Sequence, residues 1–162
     1  MRKIFKLSFL KIFSINMLIF MIFSLIITFL RFPDCFYNYK NGIYKGRKWE
    51  NNGDFYQTVF KVKSWKSHIP ELADFIKFIF PKKFIKEFTD EFLSKYLLES
   101  CKAEFVHWCN IFSSTMFLIY EGVSTFTYML VIAIILNTPF IIIQRYNRPR
   151  IISIMKIHEG VH

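Results

Sequence analysis

Glycine and proline are scarce in this chain, 5 of each in 162 residues, and acidic side chains are outnumbered, with 12 Asp and Glu against 22 Lys and Arg. So few turn formers argue against a linker-rich chain, and no self-similar period of about 20–50 residues marks a repeat array. Cysteine is scarcer still. Cys35, Cys101 and Cys109 form no CxxC pair and leave an odd count, which supports neither a disulfide framework nor a thiolate zinc site.

What is abundant is apolar surface: 53% of positions are hydrophobic and 20% aromatic, 21 of them Phe. That excludes a disordered chain, which cannot carry so much buriable surface. A soluble core of this size would have to hide those rings beneath a surface of net charge +10. A membrane is therefore the first solvent to test.

Residues 7–30 carry a single charge, Lys11, and 12–30 are 19 uncharged, mostly apolar residues. As a helix they span roughly 28 Å, enough for one crossing. Arg2, Lys3 and Lys6 resemble the basic start of a signal peptide, but Thr28-Phe-Leu-Arg-Phe-Pro-Asp34 lacks a small-x-small cleavage site, so an uncleaved signal anchor is expected. The second apolar region is 105–143, interrupted by Glu121-Gly122, where a turn is expected. Its later half, 123–143, has 21 uncharged residues including Met129-Leu-Val-Ile-Ala-Ile-Ile-Leu136 and is the strongest transmembrane signal in the chain. The earlier half, 105–120, is shorter and carries His107, Asn110 and Ser113-Ser-Thr115; it crosses with its partner as a hairpin or dips in partway. If 105–143 is a hairpin, the middle and the C-terminus share a side, and their summed positive charge puts that side in the cytoplasm, while the basic N-terminus pulls the other way.

Residues 31–104 hold 14 basic and 10 acidic residues and form a peripheral lobe. Phe84, Ile85, Phe88, Phe92, Tyr96 and Leu97 recur at helical spacing, with Lys82, Lys83, Lys86 and Lys95 among the charges on the other face. Such a helix lies in the headgroup layer or packs on its own neighbours. The stretch 55–66 favours helix over strand. After 143, Gln144-Arg-Tyr-Asn-Arg-Pro-Arg150 places three arginines at a membrane boundary, ordinarily stop-transfer charges that touch anionic headgroups. The fold class expected is mainly α: a small integral protein of the cell membrane, one domain over 1–162, with a signal-anchor-like helix (7–30), an amphipathic basic lobe (31–104), a C-terminal transmembrane hairpin (105–143) and a basic tail (144–162).

Polar groups at membrane depth are functional candidates, because each needs a partner there. Asn137 stands two residues before Pro139, which lacks an amide hydrogen and disturbs the helix carbonyl four residues earlier. A structural kink is the competing reading. Glu104 and His107, three apart, share a helix face and can make a base in which the carboxylate fixes the imidazole. The competing reading is a helix cap beside the interface aromatic Trp108. Glu99 and Lys102 stand one turn earlier. A lone Glu-x-x-His is half of a di-iron pattern with no second copy, so no metal is implied.

Glu99-Ser-Cys-Lys-Ala-Glu104-Phe-Val-His107-Trp108 and Asn137-x-Pro139-Phe-Ile-Ile-Ile-Gln144-Arg-Tyr-Asn-Arg-Pro-Arg150 closely resemble the glycosyl-4,4'-diaponeurosporenoate acyltransferase family of staphyloxanthin-type carotenoid synthesis. Phe32-Pro-Asp34 and Trp65-Lys66 add weaker similarity. The resemblance implies a membrane O-acyltransferase that esterifies the sugar 6-hydroxyl of a glycosylated carotenoid, or another glycolipid acceptor, with a fatty acyl group. Acyl-CoA would be the donor, and no cofactor is needed. His107 oriented by Glu104 would be the base, and Asn137 or a tail arginine would donate to the developing oxyanion. Arg145, Arg148 and Arg150 would meet the donor's phosphates, with Asn147, Glu99 and Trp108 as further substrate contacts. The alternative is a non-catalytic membrane scaffold subunit of a lipid-pathway complex. Nucleic acid is not expected as a partner, since the charges flank apolar segments and do not gather on one soluble face.

Overall fold

In a computed structural model of the chain, residues 2–30, 32–40, 42–70, 80 and 88–160 are described. Among them the regular structure is helical, with no strand: α1 (Arg2–Phe29), α2 (Asp54–Phe60), α3 (Val62–Trp65), α4 (Asp90–Ser113), α5 (Met116–Tyr120) and α6 (Val123–Glu159). Short 3-10 turns at Asp34–Phe36, Gly42–Tyr44, Lys48–Gly53 and Lys66–His68 punctuate the stretch between α1 and α4. The chain divides into two compact units, Met1–Arg31 with Val106–Thr138, and Phe32–Phe105 with Pro139–His162. Two long helices, α4 and α6, contribute residues to both.

In the first unit Phe20 of α1 packs with Phe117 of α5 and with Met129 and Ala133 of α6. Much of α1 is left outward: Leu10, Ile15, Leu18, Met21, Leu25 and Ile26 are each half exposed or more. Segments Leu10–Phe29 and Val123–Ile157 are long and apolar enough to cross a membrane. The expected first half of the hairpin is broken. Ser113, Ser114 and Thr115 turn their hydroxyls back onto the carbonyls of Asn110, Ile111 and Phe112 at 2.7–2.8 Å, competing with the helix ladder where α4 stops. Gly122, at φ +85, makes the turn between α5 and α6 that Glu121-Gly122 suggests.

The second unit is built on the start of α4 and the end of α6. Ile142, Ile143 and Tyr146 pack with Tyr56 and Val62, while Ile151 packs with Leu93, Tyr96 and Leu97. The residues of the expected basic tail continue the helix: α6 runs without interruption through Pro139 and Pro149 to Glu159. Each proline deletes one hydrogen bond, and burial of the Ile141, Ile142, Ile143, Tyr146 and Ile151 side chains outweighs that loss. Leu93, Tyr96 and Leu97 of the expected amphipathic helix are buried against neighbours of the same unit; its residues 81–87 lie outside the described residues. The helical preference of 55–66 holds, with a break at Lys61, whose φ of +50 separates α2 from α3.

The turn entering α2 runs through three successive positive φ values, Asn51 (44°), Asn52 (53°) and Gly53 (88°). Asparagine tolerates this region, and glycine is required at the third position for a second reason. A Cβ on Gly53 would stand 2.9 Å from Arg150 Nη1 and 3.0 Å from the Tyr146 carbonyl oxygen. Gly53→Ala is expected to destabilise the fold by about 1–3 kcal/mol, read as a lower urea midpoint at unchanged slope in detergent.

Candidate active site

Among the described residues, two buried polar clusters hold most of the candidates from the sequence, one in each unit, and they differ in kind. The first is neutral. In the first unit, Asn137 donates from Nδ2 to the Ala133 carbonyl at 2.9 Å, which fixes the direction of its amide. Its Oδ1 therefore faces α4, where it accepts from Asn110 Nδ2 at 3.3 Å and meets His107 Nδ1 at 2.9 Å. A carbonyl oxygen only accepts, so Nδ1 carries the proton and the lone pair of neutral His107 resides on Nε2. His107 and Trp108 are half-buried; Asn110 and Asn137 are buried. The Asn110 Oδ1 atom has no hydrogen-bond partner among the described residues.

The second cluster is ionic and lies wholly in the second unit. Glu104, 0% exposed, accepts from Arg145 Nε at 2.8 Å through Oε1 and from Arg148 Nη2 at 2.7 Å through Oε2. Arg145 extends the chain of charges, donating from Nη1 to Glu50 Oε1 at 2.6 Å and from Nη2 to the Ile43 carbonyl. Glu50, 2% exposed, also accepts from the Tyr56 hydroxyl and from the Arg47 amide, each at 2.7 Å. Arg148 donates from Nη1 to the Tyr44 carbonyl at 2.9 Å and reaches the Ser100 carbonyl and hydroxyl oxygens at 3.3 Å. Two carboxylates and two guanidiniums thus alternate as Glu50, Arg145, Glu104, Arg148, with no net charge. Burial alone would raise the Glu50 pKa, yet the Arg47 amide, the Tyr56 hydroxyl and Arg145 together hold it below the ordinary carboxylate value. Beside the cluster, burial pushes the Cys101 thiol up to about 11, so it stays protonated near neutrality.

A family model described as glycosyl-4,4'-diaponeurosporenoate acyltransferase matches residues 40–157, a span that includes both clusters. Proteins of that name from Staphylococcus aureus strains bovine RF122 / ET3-1, MRSA252 and USA300 are each 30% identical to the chain over 128 residues, 78% of this chain and 76% of theirs. The chain belongs to the glycosyl-4,4'-diaponeurosporenoate acyltransferase family. It is an acyltransferase. No solved structure matches it.

The residues that resemblance picked out fall into distinct settings in this acyltransferase. His107 and Asn137 meet directly. Glu104, Arg145 and Arg148 meet one another in the ionic cluster, which gives these two arginines internal partners. Asn147 bridges Tyr96 and Lys66, donating to the phenol oxygen at 3.3 Å and accepting from the ammonium at 3.1 Å. Arg150 sits on Asp54 at 3.2 Å. Glu99 pairs with Lys102 at 3.1 Å, and Lys102 also meets Asp34 at 2.9 Å. The partners that sequence reasoning missed are Asn110, Glu50, Tyr56 and Ser100. Asn110 was within reach, being a second amide one helical turn after His107 in an apolar stretch; Glu50, in a non-repeating turn, carries no such signal.

Removing one member of the ionic cluster leaves buried charge without its counterion. Arg148→Met is expected to cost about 3–5 kcal/mol, measured by denaturant unfolding. Because folding lowers the Glu50 pKa, its contribution is complete above the unfolded-state pKa and is lost as pH falls through the folded-state value. Stability should therefore drop on acidification below the ordinary carboxylate range, and Glu50→Gln should flatten that dependence.

Proposed function

We propose that this acyltransferase joins a fatty acyl group from an acyl thioester such as acyl-CoA to the sugar 6-hydroxyl of a glycosylated carotenoid, with His107 as general base. The observation that carries this reading is the 2.9 Å contact between His107 Nδ1 and Asn137 Oδ1, with the Asn137 amide itself fixed on the Ala133 carbonyl. With Nδ1 donating to that oxygen, the basic lone pair is on Nε2, which supports reading this ring as the group that takes the hydroxyl proton.

The sugar oxygen attacks the thioester carbonyl carbon as its proton passes to Nε2. The tetrahedral intermediate then expels the thiolate, which receives that proton and leaves as thiol, and the ester remains. Asn137 acts as a positioning residue, holding the ring and its tautomer. Arg145 and Arg148, committed to carboxylates, hold the fold, and Glu104 anchors α4 to them. The setting is the cell membrane: Leu10–Phe29 and Val123–Ile157 have the length and composition of spans, and the outward apolar side chains of α1 suit hydrocarbon. An acceptor with a long polyene would remain in the bilayer. A scaffold subunit without chemistry, the alternative from sequence, does not account for membership in a family of acyltransferases.

Purified protein in detergent, supplied with acyl-CoA and a glycosylated carotenoid, tests the reading by mass spectrometry of the product. His107→Ala should lower kcat about a hundredfold or more with the unfolding midpoint preserved. Asn137→Ala should lower kcat about ten- to a hundredfold and shift the pH–rate profile, because the ring loses its positioning. Undiminished turnover in His107→Ala would remove this histidine from the chemistry.

A further inference from the structure

Within the second unit, a third polar group gathers around the ring of Tyr146, and its charges do not balance. Arg150 lies one helical turn beyond Tyr146 on α6, with its guanidinium carbon 3.6 Å from the ring centroid. Lys66, the first residue of the 3-10 turn after α3, places Nζ 5.0 Å from the same centroid and donates to Asn147 Oδ1 at 3.1 Å. Lys63 stands three residues before Lys66. The carboxylate here, Asp54, has a side chain 65% exposed and meets only the rim of Arg150 at 3.2 Å. Among the described residues no carboxylate pairs with Lys66, which is half-buried with a neutral amide and an aromatic face as its neighbours. Partial burial of an ammonium without a counter-anion is unfavourable, and a bound anion would relieve it. Consistent with this, burial first, and then the charges of Arg150 and Lys63, lower the proton affinity of Lys66.

The local backbone is shaped to produce this grouping. Lys61, at φ +50, breaks α2 from α3, and Trp65 Nε1 donates to the Phe60 carbonyl at 2.7 Å across the break. Gly53 leaves room for Arg150 beside the Tyr146 carbonyl. The contrast with the ionic cluster is chemical: there each guanidinium has a buried carboxylate, while here the one ion pair among the described residues is that of Arg150 with the exposed Asp54.

We propose that Lys63, Lys66 and Arg150 form a binding site for a phosphate group. Arg150 supplies a forked donor and the lysines supply point charges, a combination suited to a phosphate monoester or diester. Two sources carry that chemistry: the phosphates of a coenzyme A thioester, which rests on the acyl transfer proposed above, and the headgroup of an anionic phospholipid.

The test is binding, and it needs no turnover. Free coenzyme A is titrated calorimetrically into the full chain in phosphatidylcholine nanodiscs, and in a second arm native mass spectrometry counts phosphatidylglycerol retained from mixed nanodiscs. Lys66→Gln should weaken one ligand at least tenfold and Lys66→Arg should restore it, with the unfolding midpoint unchanged in both. Loss confined to coenzyme A assigns the site to the acyl donor, and His107→Ala should then bind coenzyme A normally, even if inactive. Loss confined to phosphatidylglycerol assigns the site to the headgroup. Equal binding of both ligands by wild type and Lys66→Gln overturns the proposal.

Discussion

The contact on which the second unit depends is the pair of arginines that α6 sends to Glu104. Arg145 and Arg148 are three residues apart, so they emerge on one helix face and take the two oxygens of one carboxylate. A carboxylate with 0% exposure would be untenable alone, and two guanidiniums beside it would overcharge the interior. Glu50 resolves the excess from a turn far away in sequence, bringing the buried total to zero. This closed charge count explains why an apolar helix can continue past Ile143 into Gln144-Arg-Tyr-Asn-Arg without leaving the protein. The charges of both arginines are balanced internally, so the helix has no need to end at water.

The neutral cluster follows a different rule because its surroundings do. Two amides and an imidazole cost less at apolar depth than separated charges, provided their dipoles agree in direction. The agreement starts at the Ala133 carbonyl, which demands the Asn137 NH2 and so turns Oδ1 toward α4. One backbone acceptor thus decides the protonation pattern of a histidine on another helix.

Composition alone made the apolar helices legible: 12–30 and 123–143 leave few alternatives to helix. The path of α6 beyond 143 was not legible, because two prolines and three arginines are local stop signals, and what overrides them is burial against residues distant in sequence. Arg145 finds Glu50 at a separation of 95 residues. The site was half legible. His107, Asn137, Glu104 and the arginines stood out as polar groups at apolar depth, but helical spacing offers neighbours within one turn only. His107 finds Asn137 thirty residues on. Glu104 finds its arginines forty-one and forty-four residues on. Spacing named the residues correctly as unusual and could not name those partners.

The same contacts bear on whether the acyl group rests on the protein during transfer. An acyl-enzyme needs an activated hydroxyl or thiolate, and the groups nearest both clusters are poorly suited. Cys101 is buried with its pKa raised to about 11, so thiolate is rare at neutral pH. Ser113, Ser114 and Thr115 donate their hydroxyl hydrogens to backbone carbonyls three residues back, a role that holds α4 at its end. The Ser100 oxygen accepts from Arg148, which withdraws electron density from it. A histidine whose basic nitrogen is set by an amide, with no activated hydroxyl or thiol among these groups, fits a mechanism in which the acceptor's own hydroxyl is the nucleophile. In the proposed mechanism the acyl group moves once, from donor to acceptor oxygen, and the protein contributes position and a place for one proton.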